Sequence, residues 1–256
     1  MNGAYSHLPG AATEPIETVS LNKDGVRLTG KLAVPAGACG LVVLAQDEPG
    51  GSLGPRVTYL ASLVRLAGFG TLVCDLRADP SAERACDPVG NPGRLSARLA
   101  TWLEIVRHRP ALSSLPLGLS GTGVAGAAVL LTAARLPARV SAAVAVAGRL
   151  DLIPDALPTI QCPTLLVIGE HDRPVMRHNR HALRRLRCHR RLEEVPGAHH
   201  RFQETNALMQ VAVSIRRWMR RYLIPPADTV VPRALPALRI VPVDAGLELV
   251  ATTVKE

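Results

Sequence analysis

Four short segments carry the residue types that chemistry needs. Gln46-Asp47-Glu48-Pro49-Gly50-Gly51-Ser52 is a glycine-bearing loop with two carboxylates. Ser120-Gly121-Thr122-Gly123-Val124-Ala125 is a run of small and hydroxyl-bearing residues. Gly169-Glu170-His171-Asp172 and Gly197-Ala198-His199-His200 bring carboxylates and imidazoles. A carboxylate and an imidazole brought together can orient and move a proton, and the N–H groups of a tight turn can hold developing negative charge. Each segment follows a run that reads as a strand. In open α/β sheets, sites form just beyond the carboxyl ends of the strands.

The elements that must position these segments alternate along the chain. Glu17–Asn22 and Val26–Val34 read as a hairpin around Lys23-Asp24-Gly25. Strands are then expected at Gly40–Ala45, Phe69–Cys74, Leu115–Leu119, Val140–Ala147, Thr164–Ile168 and Arg191–Val195. Between them, apolar residues at helical spacing mark a helix around Tyr59–Ala67, which Gly68 closes. Further helices are expected over Leu95–Val106, Val124–Leu136, Met176–Leu186 and Asn206–Tyr222. Such alternation predicts an α/β fold: a mostly parallel, doubly wound sheet covered on both faces after an antiparallel opening hairpin. The expected organisation is a loose leader over 1–15, one α/β domain over 16–224, and a Pro-rich extension over 225–256. Two β-like runs, Leu238–Val243 and Leu247–Val254, give that extension a candidate hairpin.

Composition bounds the rest. The chain has 256 residues, 47% of them hydrophobic, and a formal net charge of +9. That apolar content excludes disorder, and no short repeat supports a collagen-like or low-complexity chain. All but three of its 30 basic residues are arginine, and aromatics make up only 3%. Without interleaved aromatics or a recognisable nucleic-acid module, the charge argues against nucleic acid as the primary partner. An acidic protein, or a second copy of the chain, stays open as partner. Five cysteines without a C-x-x-C give no disulfide framework and no zinc site, and no metal or cofactor is expected. The longest apolar stretch, Val140–Gly148, is short and flanked by Arg139 and Arg149, so no membrane span is expected. Met1 to Pro15 lacks the pattern of a secretory signal, and a cytoplasmic location follows as the expectation.

In type and order, the four segments resemble the α/β-hydrolase fold, and within it the dienelactone-hydrolase-like branch, over about 17–223. The resemblance implies a nucleophilic serine on a strained strand-turn-helix elbow, G-x-S-x-G. It implies oxyanion donors from the residue after the nucleophile and from the loop after the third strand, and an acid that orients a histidine base. Asp172 matches the acid. His200, in Pro196-Gly197-Ala198-His199-His200, matches the base, with His199 as the one-off alternative; acid and base stand 28 residues apart. The nucleophile departs from the pattern. Leu117-Gly118-Leu119-Ser120-Gly121-Thr122-Gly123-Val124-Ala125 places Gly123 where the serine belongs, directly before a small-residue helix. A competing register uses Ser120, which would lie within or at the end of the strand. The oxyanion loop departs as well: Gln46-Asp47 stands where His-Gly is usual, and a carboxylate there opposes an oxyanion.

The leading expectation is a protein of this fold with its nucleophile lost and weak or absent ester hydrolysis, acting by binding a ligand or protein. The second is an active hydrolase of small esters or lactones using Ser120, Asp172 and His200, with the Gly121 or Val124 N–H as oxyanion donor. A weaker third is a basic adaptor for nucleic acid or an acidic protein. It draws on Arg177, Arg180, Arg184, Arg187 and Arg191, whose spacing of three and four puts them on one helix face. Arg216, Arg217, Arg220 and Arg221 form a second basic cluster.

Overall fold

A computed structural model describes residues 15–23, 26–47, 54–77, 90–224, 237–243 and 246–252 of the chain. Most of the leader, the hairpin turn at Asp24-Gly25, Glu48–Ser52, Cys86 and Pro225-Pro226 lie outside the described residues.

Strands β1 (Glu17–Lys23) and β2 (Val26–Ala33) form the opening hairpin, with Glu17 opposite Leu32 and Lys23 opposite Val26. There follow β3 (Leu41–Gln46), α1 (Pro55–Arg65), β4 (Gly70–Asp75), α2 (Pro92–His108) and the short α3 (Pro110–Ser113). Next come β5 (Leu117–Thr122), α4 (Gly123–Arg135) and β6 (Ala142–Val146). The α/β region ends with β7 (Thr164–Gly169), α5 (Arg173–Arg185), β8 (Arg190–Val195) and α6 (Ala207–Leu223). The sheet runs β1-β2-β4-β3-β5-β6-β7-β8, antiparallel through the β2–β4 pair and parallel from β4 to β8. This is the expected mostly parallel, doubly wound arrangement. The extension holds β9 (Ala237–Val243) and β10 (Gly246–Thr252), paired antiparallel in a sheet of their own.

Strand periodicity divides the core in two. Leu41, Val43 and Ala45 of β3 face a layer built by α2 and α4, with Leu99, Trp102, Leu103 and Leu130. Val42 and Leu44 face the other layer, where α1 and α6 bring Leu60, Val64, Ile215 and Met219. Successive side chains of a strand point to opposite faces, so a strand sandwiched between helices is buried on both and mostly apolar; β3, β4, β6 and β7 are buried at every position, with polar residues only at Gln46, Thr71, Asp75 and Thr164. Each fully buried Leu or Val contributes about 1.5–3 kcal/mol, ample for so aromatic-poor a core. Cys74 is one such residue: it is fully buried, and its thiol is pushed far above the ordinary range, first by desolvation and then by the neighbouring Asp75 charge. At the outer edge Arg109 grips Glu17 of β1 with two hydrogen bonds of 2.6 and 2.7 Å.

Two expectations change. Helix α5 begins at Arg173 rather than Met176, because Asp172 caps it and Pro174 lies in its first turn. It ends at Arg185, where Leu186 turns extended at ψ 134. Arg177, Arg180 and Arg184 therefore share the helix, whereas Arg187 follows it and Arg191 belongs to β8. The five arginines form no single helical face.

Candidate active site

The carboxyl ends of β3, β5 and β7 and the loop after β8 bring Gln46-Asp47 and the other three segments to one edge of the sheet. At the centre β5 passes directly into α4. Gly123, the first residue of that helix, takes φ +60, the left-handed region. A Cβ at Gly123 would meet nothing within 4 Å among the described residues. The turn is tight behind it: a Cβ on Gly121 would stand 2.6 Å from the carbonyl oxygen of Ala125. The Gly123 carbonyl accepts a hydrogen bond from the Arg149 N–H at 3.0 Å, and Arg149 is itself clamped by Asp151. Other left-handed residues lie along the same rim, Ala147 at φ 45 after β6 and Phe202 at φ 48 in the histidine loop. Strained backbone of this kind costs about 1–3 kcal/mol per residue and gathers at functional sites.

Ser120 lies three residues earlier, inside β5, paired with Leu44 of β3 on one side and Val144 of β6 on the other. It is 3% exposed. Gln46 is buried at the end of β3, and its backbone carbonyl accepts a hydrogen bond from the Leu76 N–H at 2.8 Å. The carboxylate of Asp47 and the side chain of Val124 converge on Gly90, 3.5 and 3.7 Å from where its Cβ would stand. Gly90 thus lies between the start of the loop after β3 and the first turn of α4, with the Asp47 carboxylate on the elbow's side of the sheet.

Asp172 follows β7 and is 7% exposed. One carboxylate oxygen, Oδ1, caps α5 by accepting from the Val175 N–H at 3.4 Å. The other, Oδ2, is buried and has no hydrogen-bond partner among the described residues. His200 is exposed and makes no hydrogen bond among the described residues. His199 is engaged elsewhere, with its Nδ1 and its N–H 2.8 and 3.0 Å from the Glu204 carboxylate and its ring edge-on to His171. The carboxyl end of the sheet therefore carries Asp172, the two histidines and the elbow, with no hydrogen bond between Asp172 and either histidine among the described residues.

Three residues at this edge escaped the sequence reading. Glu204 is held at a pKa of about 2, first by a hydrogen bond from its own backbone amide and then by its bonds to His199. Glu170 fixes the same loop by accepting from the Gly197 N–H at 2.8 Å. Asn179, fully buried on α5, donates to the Gly148 and Val175 carbonyls. Glu204 and Asn179 lie in no motif, and Glu170 sits within Gly169-Glu170-His171-Asp172; the Gly197 partner of Glu170 and the Gly148 partner of Asn179 are brought by the fold from other loops. The capping role of Asp172 escaped that reading too, although Asp-Arg-Pro is an N-terminal helix signal. Among the described residues no three His, Cys, Asp or Glu side chains group to hold a metal, and no helix is long and apolar enough to cross a membrane.

An eight-stranded sheet with an antiparallel start, a strand-elbow-helix at its centre, and an acid and histidines following in that order define an α/β-hydrolase-fold protein. The sequence model of the dienelactone hydrolase family matches residues 33–221, and the chain belongs to that family. It is similar to the crystal structure of dienelactone hydrolase from Anabaena variabilis, with 36% identity and a TM-score of 0.77, covering 82% of this chain and 99% of that one. A serine hydrolase without a lid from Xanthomonas campestris shares the fold at 21% identity and a TM-score of 0.65, covering 86% and 98% of the two chains. A Mycobacterium tuberculosis protein named "Putative phosphoribosyl transferase" is 34% identical over 224 residues, 87% of this chain and 50% of that protein. A second strain's copy matches to the same extent, so the chain spans about half the length of the curated relatives it matches.

Proposed function

We propose that this dienelactone-hydrolase-family protein is catalytically impaired and acts by binding a ligand or protein at the hydrolase site rather than by acyl transfer. One observation carries the reading: the first residue of α4, at the left-handed turn, is Gly123, and no described residue fills the space where a serine side chain would project. An elbow exists to push a nucleophile out of the sheet, and here nothing is attached to it. Ser120 is a poor substitute, being 3% exposed and paired on both sides within β5. The Asp47 carboxylate on the elbow's side of the sheet acts in the same direction, because negative charge there raises the energy of an oxyanion. The transferase activity in the mycobacterial relatives' name belongs to proteins of about twice this length. The family match and the elbow favour the hydrolase-type site as the functional centre of this chain.

A serine-directed fluorophosphonate probe and an activated p-nitrophenyl ester test the reading together. The wild-type chain is expected to show neither stoichiometric labelling nor turnover that depends on the site residues. Labelling abolished by Ser120→Ala and by His200→Ala would overturn the proposal in favour of an active serine hydrolase.

A further inference from the structure

Strand β8 is the last strand of the large sheet, bonded to β7 on one side. Thr164 N–H donates to the His189 carbonyl and Glu170 N–H to that of Val195, so the odd-numbered residues of this segment turn their backbone groups towards β7. The alternation of a parallel ladder then directs the N–H and C=O of Arg190, Leu192 and Glu194 away from the sheet, ready to bond another strand. The sequence of this edge is Arg190-Arg191-Leu192-Glu193-Glu194, with charges that reverse about its central leucine.

We propose that two copies of the chain pair antiparallel through β8, about a two-fold axis that passes beside Leu192 normal to the sheet. In that register Leu192 meets Leu192, Arg191 meets Glu193 of the second copy, and Arg190 meets its Glu194. Symmetry and charge select the register. Centring on residue 191 sets Arg191 against itself, and centring on 193 sets Glu193 against itself. Centring between residues would place side chains from opposite faces opposite one another, which an antiparallel ladder does not allow. The chosen centre also pairs the outward-facing residues with one another: 192 with 192, and 190 with 194. Opposite charges directly across such a ladder stabilise it, and like charges oppose it.

The surroundings fit a second copy. Glu193 lies on the α6 side, where it accepts from Ser214 and Arg217, and Glu194 lies on the α5 side, where it pairs with Arg180. Arg190 is exposed and has no carboxylate partner among the described residues, leaving its charge for Glu194 of the second copy. Beside the edge on the α6 side runs a groove of about 510 Å³, lined by Arg191, Glu193, Met209, Val213 and Arg217 among others. Val213 is 41% exposed in it. A two-fold axis normal to the sheet keeps both α6 helices on the same face, so the second α6 would approach across this groove and cover Val213. The assembly is isologous and closed, and it removes the free edge.

Light scattering coupled to gel filtration on the full chain tests this at micromolar concentration. The wild type is expected at twice the chain mass. Arg190→Glu with Arg191→Glu makes the edge uniformly acidic, and Glu193→Arg with Glu194→Arg makes it uniformly basic; each variant is expected to halve the mass. Mixed in equal amounts, the two are expected to regain it as a heterodimer, an outcome that misfolded variants would not produce. Leu192→Pro removes an outward N–H without touching the β7 ladder, and should give a monomer with an unchanged circular-dichroism spectrum. A wild-type monomer would overturn the proposal. So would a dimer that survives both Leu192→Pro and Arg190→Glu with Arg191→Glu, which would place the contact elsewhere, for instance on the β9–β10 hairpin.

Discussion

A methyl group added at either of two elbow glycines, two residues apart, separates the shape of the elbow from what it carries. At Gly123 the methyl meets no described residue, and its cost is that of holding an L-residue in the left-handed region, about 1–2 kcal/mol. For a chain of this size 1 kcal/mol corresponds to about 2–4 °C in Tm, so Gly123→Ala should melt about 2–8 °C below wild type. At Gly121 the same methyl stands 2.6 Å from the Ala125 carbonyl oxygen, 2.7 Å from its carbon and 3.0 Å from the Gly126 nitrogen. These are backbone atoms of the first turn of α4, and no side-chain rotation relieves them. The cost belongs at the upper end of overpacking, about 3 kcal/mol or more, with a fall of roughly 6–12 °C. Thermal unfolding of the two variants by circular dichroism reads both numbers. A Gly121→Ala protein as stable as wild type, or a Gly123→Ala protein less stable than Gly121→Ala, would refute the reasoning. With the expected order, Gly123→Ser becomes a tolerated variant, as the proposed loss of a nucleophile at that position requires.

Asp172 and Glu204 give two further predictions. Asp172→Asn keeps an oxygen to cap α5 and leaves no hydrogen bond of Oδ2 unmade, so its stability should match wild type, whereas Asp172→Ala should lose about 1 kcal/mol by chemical denaturation; an Asn variant as weak as the Ala variant would show that Oδ2 holds a histidine in solution. The carboxyl of Glu204 is depressed in the folded chain from 4.5 to about 2, so its contribution is fully present above pH 4.5 and fades as pH falls towards 2. The Tm gap between wild type and Glu204→Gln should accordingly be widest near neutrality and close on acidification, and a gap that widens in acid would contradict the assignment.

The sequence by itself determined the class of fold and the place of the elbow. Alternating apolar strands and amphipathic helices admit few arrangements besides a doubly wound sheet, because each strand buries both faces and each helix one. Gly123 was legible because an elbow lies where a strand passes without a loop into a small-residue helix. Asp172 was legible from its place just after a strand in Gly169-Glu170-His171-Asp172, although the helix it caps was expected only from Met176. These are local signals, read within a few residues. The end of α5 carried no such signal: no glycine or proline follows Arg185, the spacing of the arginines continues past it, and only the extended backbone at Leu186 sends Arg191 to the opposite face of the sheet. Tertiary structure likewise decided that His199 pairs with Glu204 while Asp172 Oδ2 stays unbonded among the described residues, because those contacts depend on how loops from separate strands meet. It also decided that β8 is an edge. Strand order depends on which surfaces pack across the whole sheet, and the charge pattern of Arg190–Glu194 acquires a partner only once that order leaves its backbone facing outwards.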